Sequence, residues 1–160
     1  VIDSLKRGYK DKLNCENLVL EINSSRYAYN ITVNEVNYNL IRAVLNIDLE
    51  VMGNDVKKVL QHTVSKLKYF LPLVKNYIKN ENAQMDCLSA LEDVMSTSSS
   101  VQTIASKVLQ FLYDKDILSE EVIIRWYEKL TAEGLEELTI RLAPFIEWLR
   151  EAEEESEDSS

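Results

Sequence analysis

An all-α fold, a solenoid of stacked antiparallel helix pairs, is what this sequence predicts. Three observations predict it. Apolar residues recur at spacings of three and four in segment after segment, and no segment sustains strand alternation. Short polar breaks carrying capping residues separate these segments. Three Gly and two Pro in 160 residues leave little material for hairpin turns, so an all-β fold is not expected.

The elements follow in order. Residues 1–15 are polar and rich in basic side chains (Lys6, Arg7, Lys10, Lys12), and are expected to form a flexible N-terminal segment. From Asn17 onward the period is helical, with Leu18, Ile22, Ser25 and Tyr29 on one face. Thr32 followed by Glu35 is a capping box, each side chain satisfying the other's backbone N–H. It opens a helix carrying Val36, Leu40, Ala43, Val44 and Ile47. Met52-Gly53-Asn54-Asp55 breaks the pattern and offers Asn54 as the next cap.

A long periodic stretch then runs through Val56, Val59, Leu60, Val64, Leu67, Phe70, Leu71, Val74 and Ile78. Pro72 lies inside it, so a break is expected near Phe70–Leu71. Asn80–Asn82 reads as a turn, and Met85, Leu88, Leu91 and Met95 form the next stripe, closed by the run of hydroxyls at 96–100. Ile104, Val108, Phe111 and Leu112 follow. Ser119 caps the penultimate helix, with Glu120 and Glu121 set against the positive end of its dipole. Gly134 marks its end, and the final helix carries Leu138, Leu142, Phe145 and Leu149 before dissolving from Glu151 on. About eight helices joined by short turns fit stacked pairs, each burying the face its neighbour exposes. No strict repeat is visible, so a compact irregular bundle stays open as the alternative.

Composition narrows the function. At 46% apolar and 28% charged residues the chain is no disordered segment, and one domain is expected at this length. No apolar run reaches the roughly 18 residues of a membrane span. Cys15 and Cys87 are too few for a disulfide framework and too isolated for a zinc site, which fits a reducing compartment. Asn30-Ile31-Thr32 matches a glycosylation pattern and is read as chance. The first residue is Val1, which suits a domain cut from a larger protein. His62 stands alone as the histidine and reads as a surface residue among Lys57, Lys58, Lys66 and Lys68. Neither a nucleophile–His arrangement nor a Gly-rich phosphate loop nor an EF-hand loop is present, so no covalent chemistry, cofactor or metal is expected.

Charge is uneven. Residues 1–113 carry 13 Lys/Arg and 12 Asp/Glu, whereas residues 114–160 carry 5 and 15, a balance of −10. Such a block repels nucleic-acid phosphates and attracts basic partners, more weakly as salt rises. The acids mix with aromatics. On the final helix Trp148 falls to one side of the apolar stripe, on the flank of Pro144, Glu151 and Glu155. Trp126 lies mid-stripe with Val122 and Leu130 and is expected in the core. An indole beside carboxylates suits lysine-rich segments: the acids attract ammonium groups and the ring takes their aliphatic stems. Each exposed pair contributes only about 0–1 kcal/mol, so affinity requires many contacts. The bland reading, an acidic end that merely solubilises the C-terminus, stays open on the residues alone.

The end Phe145-Ile146-Glu147-Trp148-Leu149-Arg150-Glu151-Ala152-Glu153-Glu154-Glu155-Ser156 resembles the second acidic-aromatic box of the two-tryptophan HEAT domains of translation initiation factors. The stretch Glu16-Asn17-Leu18-Val19-Leu20-Glu21-Ile22-Asn23-Ser24, with Tyr27-Ala28-Tyr29-Asn30, is similar to the opening of the catalytic domain in the epsilon subunit of the guanine nucleotide exchange factor for initiation factor 2. The resemblance covers roughly residues 16–156. It implies a HEAT-like exchange domain over residues 16–152, followed by an acidic disordered tail at 153–160.

It further implies GDP release from initiation factor 2 as the activity and the cytosol as the place. The implied partners are the lysine-rich segments of the factor's beta subunit, its GTPase gamma subunit, and other subunits of the exchange complex through a region absent here. Carried over by position, the acid required for exchange is Glu21. The second-box binding residues are Glu147, Trp148, Glu151, Glu153, Glu154 and Glu155. The first box falls at Leu91-Glu92-Asp93-Val94-Met95, where Glu92 and Asp93 keep the charge and Val94 and Met95 replace the family's aromatics. The alternative is a HEAT interaction module that docks a basic partner in translation initiation without accelerating exchange.

Overall fold

A computed structural model describes residues 7, 15–47 and 55–158, without the side chains of Cys15 and of residues 152–158. Eight helices follow one another among the described residues, which contain no strand. They are α1 (Cys15–Tyr29), α2 (Val33–Asn46), α3 (Val56–Tyr69), α4 (Leu71–Tyr77), α5 (Glu81–Thr97), α6 (Ser99–Asp114), α7 (Glu120–Ala132) and α8 (Glu136–Asp158). The expected all-α class is borne out.

Caps set the helix starts. Thr32 accepts from the Glu35 N–H while the Glu35 carboxylate accepts from the Thr32 N–H, the capping box expected there. Asp55 rather than Asn54 caps α3, its side chain accepting from the Lys58 N–H. A carboxylate also suits the positive end of the helix dipole better than a neutral amide; Asn54 itself lies outside the described residues. Pro72 sits in the first turn of α4, where a missing N–H costs nothing, and the chain breaks at Phe70 as expected. Ser98 ends α5 and caps α6 through its hydroxyl, so a single residue turns the chain between them. Ser119 caps α7.

Three helix ends share one stop. After α7 the N–H of Gly134 donates to Thr131 and that of Leu135 to Leu130, with Gly134 at φ +75°. The same pair of bonds closes α6 around Asp116 at φ +61°, to Tyr113 and Leu112. Asn30 at φ +55° closes α1, with Ile31 donating to Arg26. Each satisfies carbonyls the helix leaves orphaned, and each requires the left-handed backbone that Gly, Asn and Asp tolerate best.

Packing joins α2 to α3, α5 to α6 and α7 to α8, so the chain advances by helix pairs. Across pairs, α2 packs on α5 and α5 on α7 in one layer, while α3 packs on α6 and α6 on α8 in the other. That is the stacked arrangement expected of a HEAT-like solenoid. The short α4 bridges the layers at one end and receives α1. A continuous core from Leu18 to Leu149 fills the space between the layers.

Several positions differ from the sequence reading. Tyr29 is 77% exposed rather than on the core face of α1, because the helix ends there and the left-handed Asn30 turns the chain away. Lys66 is fully buried rather than a surface neighbour of His62. Its ammonium donates to the carbonyls of Leu45 at 3.2 Å and Ile47 at 2.6 Å, the orphan acceptors at the end of α2. Finally, α8 stays helical to Asp158, past the end expected near Glu151, in keeping with the helix propensity of its Glu and Ala residues. Residues 1–6 and 8–14 of the expected N-terminal segment lie outside the described residues.

Candidate functional site

The acidic-aromatic end occupies the outer face of α8. Its inner face seals the core with Leu138, Leu142, Phe145, Ile146 and Leu149, all 6% exposed or less. Trp148 falls between the two faces. Its indole stacks on Phe145, ring centres 5.8 Å apart and planes 24° apart, and meets the Tyr113 ring of α6 edge-on at 6.0 Å. Two aromatic neighbours thus hold the ring while 42% of the residue faces solvent. Glu147 and Glu151, one turn apart, are exposed on the same helix, Glu151 nearer the ring around the helix axis, and Arg150 is exposed on the far side of it. A ring so fixed loses little freedom on taking up a lysine stem. The side chains of Glu153, Glu154 and Glu155 lie outside the described residues, although their backbone continues the helix.

The first box behaves differently. Glu92 accepts a hydrogen bond at 3.3 Å from the indole Nε1 of Trp126, which is 1% exposed in α7. Asp93 accepts one from the Tyr38 hydroxyl of α2. That bond, then burial, raises the Tyr38 pKa above its ordinary 10.0. The Arg42 guanidinium lies 5.9 Å from the same ring. Val94 and Met95, each 1% exposed, belong to the core. Each carboxylate thus makes a hydrogen bond within the molecule, Glu92 tying α5 to α7 and Asp93 tying it to α2, while Asp93 stays exposed.

Glu21 lies on α1 and pairs with Arg7; their side chains are 34% and 58% exposed. Its helix is held on α4 by the Tyr77 hydroxyl, which donates to Asn23 Oδ1 at 2.7 Å. Leu20 and Tyr27, 66% and 77% exposed, stand near it on the outer side of α1. Because α1 packs on α4 whereas α8 packs on α6 and α7, the residues singled out in the sequence form three separate places. Glu21 stands at one end of the stack, Glu92 and Asp93 in the middle of one layer, and Trp148 with Glu147 and Glu151 at the other end.

Sequence reasoning missed Arg7, Tyr38 and Tyr113 as partners of these residues. Nothing local marks them, since each partner is 14 to 55 residues away or, for Tyr113 and Trp148, two helices away. Among the described residues no three His, Cys, Asp or Glu side chains are grouped to hold a metal ion, and no helix is long and apolar enough to cross a membrane.

The chain is similar in sequence to known proteins. Residues 83–159, which take in most of α5 and all of α6 to α8, match the W2 domain described as eIF4-gamma/eIF5/eIF2-epsilon. Translation initiation factor eIF2B subunit epsilon of Dictyostelium discoideum is 29% identical over 167 aligned positions, covering 97% of this chain and 23% of that protein. Eukaryotic translation initiation factor 5 of Rattus norvegicus is 32% identical over 130 positions, 72% of this chain and 29% of that protein. eIF5-mimic protein 2-A of Danio rerio is 32% identical over 100 positions, 62% of this chain and 24% of that protein. The chain spans about a quarter of the length of these relatives. The resemblance to the two-tryptophan domains, and to the epsilon subunit in particular, is borne out.

Proposed function

We propose that this chain, similar to translation initiation W2 domains, promotes release of GDP from initiation factor 2 in the cytosol. The supporting observation is Trp148, held on edge by Tyr113 and 42% open to solvent on the helix that also exposes Glu147 and Glu151. This surface suits lysine-rich segments, which in this reading belong to the factor's beta subunit. In this reading Glu153, Glu154 and Glu155, which follow in the sequence, belong to the same docking element. Glu21, at the far end of the stack, addresses the GTPase gamma subunit. Contacts with other subunits of an exchange complex fall to the remainder of a longer protein.

Exchange requires no bond chemistry. The chain has to bind the GTPase more tightly when its nucleotide or Mg²⁺ contacts are loosened, which shifts a population. Glu21 offers a carboxylate to a basic or metal-proximal element of the GTPase and so competes with those contacts. Its exposed ion pair with Arg7 contributes about 0–1 kcal/mol, a contact a basic element of the GTPase can replace. Two sites at opposite ends of the stack can hold the beta subunit at one end while Glu21 reaches the GTPase subunit at the other.

The test is the rate at which labelled GDP leaves purified initiation factor 2 with and without this chain. Acceleration that falls with Glu21→Gln is expected. Binding without acceleration favours the second reading, a docking module that does not exchange nucleotide. Two observations favour that reading: Glu21 is engaged by Arg7, and the chain is also similar to initiation factor 5 and its mimic protein.

A further inference from the structure

The outer face of α8, which Trp148 borders, carries apolar residues of its own. Ile140, Pro144 and Trp148 are spaced four residues apart, lie within about 80° of one another around the helix and span about 12 Å along it. All three are exposed, Ile140 at 70%. Exposed Glu136, Glu137, Glu147 and Glu151 share this face. Arg141 and Arg150 stand at its margins, and Arg141 is turned toward α6, where it donates to the Thr103 hydroxyl at 3.3 Å. The pattern is a short apolar row inside an acidic frame.

From this row we infer that α8 docks an amphipathic helix, basic on its flanks and apolar along one ridge, with Ile140 as a specificity residue. The inference rests on the docking reading above and names the partner's form. A tract of lysines alone satisfies the carboxylates and lays stems on the indole, but it leaves Ile140 in water. An apolar ridge at helical spacing covers Ile140, Pro144 and Trp148 together, as ridges of one helix fill the grooves of another. The carboxylates then meet the flanking cations, which gives the complementarity that fixes register.

Two synthetic peptides of identical composition test this. One has Leu at helical spacing among Lys residues, and the other has the same residues scrambled so that no face is apolar. Binding to the chain and to its Ile140→Ala and Leu20→Ala variants is measured by fluorescence anisotropy. The patterned peptide is expected to bind about tenfold more tightly, the effect of covering a few methylene groups. Ile140→Ala should abolish that advantage, whereas Leu20→Ala, at a site also 66% exposed but on α1, should keep it.

Equal binding of the two peptides, wild-type binding by Ile140→Ala, or the same loss in Leu20→Ala each overturns the inference. Patterned binding through Ile140 without GDP release leaves the inference standing and removes the exchange reading. GDP release with no preference between the peptides does the reverse.

Discussion

Trp126 and Glu92, 34 residues apart in sequence, are joined by a 3.3 Å hydrogen bond from a buried indole N–H to a partly exposed carboxylate. The bond gives a charged residue of the first box a structural task. Glu92→Ala leaves the buried donor without an acceptor and is expected to cost about 1–3 kcal/mol in urea unfolding. Glu92→Gln keeps an acceptor and should cost less. Equal, negligible losses in both variants would show that Glu92 is free to serve a partner.

Asp93 makes a parallel prediction with a pH signature. Its hydrogen bond raises the pKa of Tyr38 above 10.0, so the folded state holds that proton more tightly than the unfolded state does. The corresponding stability is fully present below pH 10 and is lost as pH rises through the higher folded value. Asp93→Asn should bring the Tyr38 titration, followed by ultraviolet absorbance, back toward 10. A titration that does not move would remove the contact as the cause.

The left-handed stops predict opposite signs for two substitutions. Asp116→Gly relieves a strained backbone and should stabilise by about 1 kcal/mol. Gly134→Ala imposes the same strain where nothing lies within 4 Å of the added methyl, so steric collision contributes nothing, and it should destabilise by about 1 kcal/mol. Thermal unfolding measures both.

Cys87 is fully buried, and burial pushes its thiol pKa up to about 12. At pH 8 it should react with a disulfide reagent only as fast as the chain unfolds, in a Cys15→Ser background that isolates its signal. Fast reaction under native conditions would contradict this burial.

Local chemistry explains what was legible in the sequence. The Thr32–Glu35 box, the Ser119 cap, the break before Pro72 and the Gly134 stop each depend on residues a few positions apart. The stripe on α8 placed Phe145 and Leu149 inside and left Trp148 at the boundary. Less local relationships did not show. Lys66 looks like its neighbours in sequence, yet it reaches carbonyls about twenty residues back. Tyr38 meets Asp93 across 55 residues, and Glu21 meets Arg7 across 14. Ile140 was missed for a different reason: the helical wheel that identified the buried stripe puts this residue opposite it, where an apolar side chain carries no packing signal.

The most direct measurement is the rate of GDP release from initiation factor 2 against the concentration of this chain, for wild type and Trp148→Ala, at low and physiological salt. The account predicts that wild type accelerates release to a plateau. Trp148→Ala, with its helical content retained, should need several-fold more protein to reach it, and added salt should shift both curves the same way. A release rate that stays flat at every concentration, although the chain binds the factor, would contradict the exchange function.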